Sequence, residues 1–161
     1  VCADLRPETA SALAAELGWR AGPPAHALAQ DVVVTVTPGE RSVVSAGGLL
    51  AGQHFAALGA DAHGKAEVEL AALTRCRLFC DDWAQAAAGG ELSAAVDAGR
   101  VRREDVTPLG EVLLGRAAGR TSAEEITLFD STGLAIQDLA VAAAVIDAWR
   151  RDELAAPTVS L

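Results

Sequence analysis

No run of apolar residues in the 161-residue sequence approaches the roughly 20 that a membrane-spanning helix needs. A transmembrane segment is therefore not predicted, and no signal peptide is recognisable at the start. Methionine is absent altogether, and the first residues, Val1-Cys2-Ala3-Asp4, resemble the end of a buried strand. We therefore expect a fragment of a cytoplasmic protein whose upstream part is missing.

Cysteine and basic residues are both scarce. The three cysteines, Cys2, Cys76 and Cys80, lie among apolar neighbours, which favours buried, reduced thiols. No pair of histidines accompanies Cys76 and Cys80, so no metal site is predicted. The 13 basic residues are outnumbered by 22 acidic ones, and the net charge of −9 argues against a nucleic-acid partner.

What remains is the composition of a globular α/β domain. Hydrophobic residues make up 51% of the chain and charged residues 22%, enough for one domain with a core. Short apolar runs alternate with helical patterns, which is typical of a doubly wound parallel sheet. Strands are predicted at residues 1–3, 32–37, 53–58, 77–80 and 126–129. Helices are predicted at residues 9–17, 67–74, 83–88, 91–98, 104–114 and 134–150.

The strand at residues 32–37 is a continuous run of β-branched residues, which predicts a central strand covered on both faces. Thr35 and Thr37 end this strand and can present hydroxyl groups to a ligand, although threonine is also a common strand residue. At the end of the first predicted strand, Asp4 can accept hydrogen bonds from ribose hydroxyls or cap the following helix. Because no Gly-x-Gly-x-x-Gly motif occurs, a dinucleotide-binding unit would have its phosphate loop upstream of Val1.

The loop after the strand at residues 53–58 is the principal candidate site. Asp61 and Lys65 lie four positions apart on a loop bounded by Gly59 and Gly64. In α/β enzymes, such loops carry functional groups at the carboxyl edge of the sheet. The alternative is an ordinary connection in which Asp61 caps a helix and Lys65 is solvated.

Three segments resemble motifs of the ornithine cyclodeaminase/mu-crystallin family. They are Gly-Ala-Asp-Ala-His-Gly-Lys at residues 59–65, Gly-Arg-Ala-Ala-Gly-Arg-Thr at 115–121, and the segment at 125–139 that contains Phe-Asp-Ser-Thr-Gly. The resemblance implies a homodimeric, NAD(P)-dependent protein of two domains. Residues 1–125 would form a partial Rossmann-type NAD(P)-binding domain, and residues 126–161 would return, as a strand and a helix, to the substrate-binding and dimerisation domain.

The resemblance also assigns roles to individual residues. Asp61 falls on the catalytic carboxylate, and Thr132 is a neighbour of the substrate. The implied cofactor contacts are Asp4, Thr35, Thr37, Leu58, Gly59, Lys65 and Ser131. NAD is expected because the Asp4 carboxylate repels a 2′-phosphate, with NADP possible because Arg6 is close.

The implied activity is that of ornithine cyclodeaminase, which converts L-ornithine to L-proline and ammonia through an imine. In this chemistry Asp61, in a water-poor pocket, holds the amine neutral while the hydride leaves. Ala60, Ala62 and His63 replace the glycine, cysteine and proline of cyclodeaminases. This pattern is more typical of alanine dehydrogenases and imino-acid reductases, so alanine dehydrogenase and ketimine or pyrroline-carboxylate reductase are the alternatives.

Two further alternatives concern proteins that do not turn over substrate. One is a binding protein similar to mu-crystallin, although Asp61 and Lys65 favour chemistry. The other is that the fragment alone is inactive, because the amides that hold a pyrophosphate are missing. His63 is expected to face solvent, His54 to be structural, and His26 to be an incidental surface residue.

Overall fold

The computed structural model describes residues 1–38, 41–155 and 157, and it contains one sheet of five parallel strands. The strands are β1 (Val32–Thr35), β2 (His54–Ala57), β3 (Arg77–Cys80), β4 (Val106–Pro108) and β5 (Thr127–Asp130). Their order across the sheet is β1-β2-β5-β3-β4. The predicted α/β class with a parallel sheet is confirmed.

Helices connect the strands and cover the sheet. They are α1 (Pro7–Leu17), α2 (Pro24–Leu28), α3 (Leu70–Leu73), α4 (Trp83–Gly89), α5 (Ser93–Asp97), α6 (Leu109–Leu113) and α7 (Ala135–Arg150). Short 3-10 turns occupy Ala46–Gly48 and Arg103–Asp105. None of the helices in the described part of the chain is long and apolar enough to cross a membrane.

The core lies between the sheet and the helices that follow β2 and β3. Phe55 and Leu128 are 2% and 0% exposed on neighbouring strands, and Ala86, Leu92 and Ala95 from the α4–α5 region pack into the same cluster. Small side chains at Ala86 and Ala95 let these helices approach closely. Burial of this apolar area, at about 25 cal/mol per Å², is the main source of stability.

The strand predicted at residues 32–37 is shorter and less covered than expected. In β1, Val33 is buried, but Val32 and Val34 are 63% and 58% exposed. Within the described residues β1 pairs only with β2, and it is therefore an edge strand with one open face. Among the described residues the strand is thus neither central nor covered on both faces, because a β-branched run does not reveal which neighbours a strand has.

Residues 1–3 do not form a strand of this sheet. Cys2 makes one isolated parallel bridge to Ala21. Its N–H donates to the Arg20 carbonyl, and its own carbonyl accepts from Gly22. The predicted first strand is therefore reduced to a single bridge that holds the start of the chain beside the end of α1.

Two of the predicted helices are only partly helical. The helix predicted at residues 67–74 begins only at Leu70, because the N–H groups of Glu67 and Val68 donate to the Glu91 carboxylate. The helix predicted at residues 104–114 contains β4, whose Val106 pairs with Leu78, and Pro108 ends that strand directly before α6. In both places, pairing with distant segments determines the backbone conformation.

The last strand lies in the middle of the sheet. β5 pairs with β2 on one side and with β3 on the other, so the strand that opens the segment 126–161 lies within the parallel sheet. The helix that follows, α7, has no buried residue, and Ile136 and Leu139 are 69% and 67% exposed. That α7 belongs to a substrate-binding and dimerisation domain remains a prediction.

Candidate functional site

The carboxyl ends of four strands form one row across the sheet. Thr35 pairs with Ala57, Ala57 with Asp130, and Asp130 with Cys80. The chain leaves this row through the segments that begin at residues 58, 81 and 131. The sheet thus brings the Asp61 loop and the residues after β5 to the same edge, where parallel α/β sheets bind ligands.

Asp61 and Lys65 form an ion pair on the loop after β2. The Lys65 Nζ atom lies 2.5 Å from Asp61 Oδ1. The hydrogen bond from Lys65 and its charge lower the pKa of Asp61, so this carboxylate is ionised at neutral pH. The Asp61 side chain is 70% exposed, so the predicted water-poor pocket is not found among the described residues. Because α3 begins nine residues after Asp61, the alternative of a helix-capping Asp61 is wrong.

A shallow groove of about 250 Å³ joins this loop to the segment after β5. Asp61 and Thr132, the assigned catalytic carboxylate and substrate neighbour, both line it. The other lining residues are Ala60, Gln85, Ala88, Gly89 and Gly90. A Cβ atom on Gly90 would lie 2.9 Å from Thr132 Cγ2 and 2.6 Å from Asp130 Oδ2, so only glycine fits at this point.

The strand-end threonines are not free to donate to a ligand. The Thr35 hydroxyl donates to Glu67 Oε2 at 2.8 Å, and the Thr37 hydroxyl donates to Oε1 at 2.7 Å. Glu67 is 0% exposed and also accepts the N–H of Gly59. The prediction that these hydroxyls are presented to a ligand is therefore wrong as far as hydrogen-bond donation is concerned. Sequence reasoning missed Glu67 because a glutamate in a predicted helix gave no signal of burial.

The segment after β5 is held by Asp81. The Asp81 carboxylate accepts the N–H and hydroxyl of Thr132, each at 2.8 Å, and the N–H of Gly133 at 3.2 Å. Ser131 donates its N–H to the Ala57 carbonyl at 3.0 Å, which ties the segment to β2 as well. No sequence signal indicates this role of Asp81, whose Oδ2 lies 3.5 Å from the hydroxyl of Ser131, an assigned cofactor contact.

Two more buried carboxyl groups lie behind the groove. Glu91 and Asp130 are both 0% exposed. Burial raises the pKa of Glu91 to about 7 and that of Asp130 to about 6, and their mutual repulsion adds to the shift at Glu91. Asp130 Oδ2 accepts the N–H of Leu92 at 3.1 Å, whereas its Oδ1 has no partner among the described residues. Both groups therefore carry a proton more readily than an exposed carboxylate does.

The two remaining assigned cofactor residues lie apart from the groove. Leu58 donates its N–H to the Thr35 carbonyl and exposes 42% of its side chain. Asp4 precedes α1 and accepts the N–H of Arg6 at 2.7 Å. Arg6 is the residue before the helix, so Asp4 does not cap the free amides of the first turn, and that alternative is wrong.

The histidines and cysteines are structural or exposed. His54 Nδ1 lies 2.8 Å from the Thr127 hydroxyl, as expected of a structural residue, and burial lowers its pKa. His63 is 70% exposed and His26 is also exposed, as predicted. The cysteines are unpaired thiols, and burial raises the pKa of Cys80 to about 11. The described residues contain no group of three histidine, cysteine or acidic side chains that could hold a metal ion.

Comparison with known proteins gives a consistent set of relatives. The chain is 48% identical over 118 residues to an alanine dehydrogenase of Archaeoglobus fulgidus, which covers 73% of the chain and 37% of that protein. It is 40% identical over 117 residues to the iminosuccinate reductase of Paracoccus denitrificans, which covers 73% of the chain and 36% of that protein.

Solved structures agree with these relatives. An archaeal alanine dehydrogenase dimer with bound NAD matches with a TM-score of 0.86 and 38% identity, over 99% of this chain and 52% of that one. The iminosuccinate reductase of Paracoccus denitrificans in complex with NAD⁺ matches with a TM-score of 0.85 and 34% identity, over 98% and 51%. The chain thus spans about half or less of the length of the proteins that it matches.

The family comparison covers most of the chain. The model of the ornithine cyclodeaminase/mu-crystallin family matches residues 21–153, which include the Asp61 loop, β5 and α7. The resemblance seen in the three sequence motifs is thereby confirmed. The chain belongs to the ornithine cyclodeaminase/mu-crystallin family.

Proposed function

We propose that this chain is the cofactor-binding half of an NAD-dependent enzyme that interconverts a small amino acid and its imino acid. The observation that carries the proposal is the Asp61–Lys65 ion pair at the carboxyl edge of the sheet, whose Asp61 lines one groove with Thr132. An ionised carboxylate beside a substrate site can accept the proton of an amine. Relatives that are alanine dehydrogenases and iminosuccinate reductases support this reaction class.

Each residue of the site has a proposed role. NAD, when bound, accepts the hydride from the α-carbon or returns it. Asp61 takes a proton from the substrate amine and so keeps it in the neutral form, from which the hydride can leave. Lys65 holds Asp61 in its charged form and contacts the cofactor. Thr132, fixed by Asp81, limits the space for the substrate side chain.

Two glycines reduce the side-chain bulk beside Asp61, which favours a close approach of the cofactor. Gly89 and Gly90 line the space beside Asp61, and a Cβ atom at Gly90 would collide with its neighbours. Leu58, Gly59 and Ser131 are the proposed backbone and side-chain contacts, and Asp4 the proposed ribose acceptor. Thr35 and Thr37 act through Glu67. We propose NAD rather than NADP, because a carboxylate at Asp4 repels a 2′-phosphate.

A single oxidation or reduction is favoured over ring closure. The chain is 48% identical to an alanine dehydrogenase but 33% identical, over 110 residues, to the ornithine cyclodeaminase of Agrobacterium tumefaciens. The family resemblance put cyclodeaminase first, and these identities, like Ala60, Ala62 and His63 in the first motif, favour a dehydrogenase or reductase instead. Cyclodeamination of ornithine is the second candidate, because it uses the same carboxylate and the same cofactor. A non-catalytic binding role is less well supported, because Asp61, which lines the groove, is paired with Lys65.

The experiment is a substrate screen with the full gene product that contains this chain. Alanine and NAD⁺, pyruvate with ammonia and NADH, cyclic imines with NADH, and ornithine with NAD⁺ are compared. Net change in NADH absorbance with alanine, pyruvate or an imine supports the proposal. Release of proline from ornithine without net NADH change identifies a cyclodeaminase, and no turnover of any of them contradicts an enzymatic function.

We also propose that residues 1–161 alone bind NAD weakly and are inactive. The chain contains no Gly-x-Gly-x-x-Gly segment whose amides would hold a pyrophosphate, and its relatives are about twice as long or more. Calorimetry of NAD binding to the isolated chain tests this, and micromolar affinity would refute it. A homodimeric assembly and a cytoplasmic location remain predictions of the sequence.

A further inference from the structure

We infer that Glu67 is a positioning residue that fixes the Asp61 loop to the ends of β1 and β2. The inference rests on the proposed function, since it concerns the site of that reaction. Glu67 lies two residues after Lys65, and its side chain is fully buried. It does not touch the groove, so it acts through other residues.

The Glu67 carboxylate gathers four hydrogen bonds from three residues. Oε2 accepts the Thr35 hydroxyl and the Gly59 N–H, each at 2.8 Å. Oε1 accepts the Thr37 N–H at 2.5 Å and the Thr37 hydroxyl at 2.7 Å. None of the salt bridges among the described residues involves Glu67, so the hydrogen bonds that its side chain accepts compensate its burial.

One of these bonds closes the candidate loop on itself. The loop from Gly59 to Glu67 contains both Asp61 and Lys65, and the Gly59 N–H at its start donates to the Glu67 side chain at its end. A Cβ atom at Gly59 would lie 2.1 Å from the Thr37 carbonyl oxygen and 2.7 Å from Glu67 Oε1. The close approach of β1, Gly59 and Glu67 therefore requires both a glycine and a carboxylate.

A second buried carboxylate holds Glu67 in place. Glu91 accepts the Glu67 N–H at 2.8 Å and the Val68 N–H at 2.7 Å. The backbone that carries Glu67 is thereby fixed from the α4–α5 region. Glu91 anchors Glu67, and Glu67 in turn anchors the two strand ends and the loop.

Glutamine at position 67 cannot reproduce this arrangement. A carboxylate offers acceptors on both oxygens, whereas an amide offers one acceptor and one NH₂ donor. In either orientation of the amide, its NH₂ group faces the Gly59 N–H or the Thr37 N–H. Two donors then face each other, and one backbone N–H loses its acceptor. The threonine hydroxyls can rotate to accept, but the backbone N–H groups cannot.

The test compares Glu67→Gln with Glu69→Gln in the full gene product. Glu69 is an exposed glutamate two residues away whose side chain accepts the Ala46 N–H. We expect Glu67→Gln to lower kcat by about tenfold to a hundredfold, because small misplacements of a catalytic group cost this much. The KM for the amino acid should stay within about threefold. Unchanged kcat in a folded Glu67→Gln enzyme would overturn the inference.

A double-mutant cycle with Thr37→Val separates positioning from direct cofactor binding. If the Thr37 hydroxyl acts through Glu67, Thr37→Val lowers kcat about threefold or more in the wild type and has no further effect in Glu67→Gln. Equal effects in both backgrounds would overturn the inference. If Glu67→Gln fails to fold, Thr37→Val tests the inference by itself. An unchanged kcat in this milder variant would then overturn the inference.

Hydrogen exchange tests the inference without any turnover. Glu67→Gln should accelerate amide exchange by about tenfold or more in peptides that cover residues 58–65, and Glu69→Gln should not. If the wild type turns over no substrate but this exchange difference is seen, the proposed function fails while the loop closure stands. If the enzyme is active and neither exchange nor kcat responds to Glu67→Gln, the inference fails alone.

Discussion

The carboxylate of Asp81 accepts both the N–H and the hydroxyl of Thr132, each at 2.8 Å. The two residues are 51 positions apart in the chain, and one follows β3 while the other follows β5. Because Thr132 lines the groove with Asp61, this pair of hydrogen bonds fixes one residue of the groove lining.

We expect Asp81→Ala to loosen the segment at residues 131–133. The variant removes the acceptor of the Thr132 and Gly133 N–H groups, and it should lower the free energy of unfolding by about 1–3 kcal/mol. Urea unfolding measures this loss. Asp31→Ala is the control. Asp31 is exposed and directly precedes the first residue of β1, so this substitution should change the free energy of unfolding by about 0.5 kcal/mol or less. Equal stability of the two variants would contradict the assigned role of Asp81.

Gly90→Ala should be destabilising, whereas Gly110→Ala should not. A Cβ atom at Gly90 would lie 2.6 Å from Asp130 Oδ2 and 2.8 Å from Ala86 Cα, so atoms of the core must shift. We expect a loss of about 1–3 kcal/mol, as for other overpacked sites. Gly110 lies in α6 with nothing within 4 Å of the added atom, and alanine should stabilise that helix by up to about 1 kcal/mol. Thermal unfolding of both variants checks the contrast, which would be contradicted by similar melting temperatures.

The buried carboxyl groups predict how stability depends on pH. The folded pKa of Asp130, about 6, lies above its ordinary value of 3.8, so folding favours the protonated form. The stability contribution of Asp130 is therefore present below about pH 4 and is lost as the pH rises through about 6. Glu91, with a folded pKa of about 7, follows the same direction.

Asp130→Asn should remove part of this dependence. Asparagine keeps an acceptor for the Leu92 N–H but carries no charge, so the variant should be more stable than the wild type at about pH 8, by up to about 2–3 kcal/mol. Near pH 4 the two proteins should be equally stable. Urea unfolding at both pH values measures the difference, with Asp31→Asn as the control that follows the wild type. A variant that is less stable than the wild type at pH 8 would contradict the shifted pKa.

The sequence predicted the parts of the fold that depend on local pattern. The strands predicted at residues 53–58 and 77–80 correspond to β2 and β3, and the loop with Asp61 follows β2 as expected. β4 was missed because three residues that end in proline show no strand periodicity, and only pairing with β3 makes them a strand. The central place of β5 was missed because sequence order does not give sheet order.

The sequence predicted the groove-side residues of the candidate site but not the buried carboxyl groups behind them. Asp61, Lys65 and Thr132 were named from their loop and from family motifs. Glu67 and Glu91 were treated as helix residues, because a charged side chain in a helical segment normally faces solvent. Their burial depends on N–H groups supplied by distant segments, and one sequence does not show which amides meet which carboxylates.

The central claim is that Asp61 takes the proton of the substrate amine. Asp61→Asn in the full gene product tests it, with kcat and NADH affinity measured in parallel and Asp31→Asn as the matched control. The account predicts that Asp61→Asn lowers kcat by about a hundredfold or more, while the Kd for NADH changes less than about threefold. An Asp61→Asn enzyme that binds NADH normally and keeps full turnover would contradict the account.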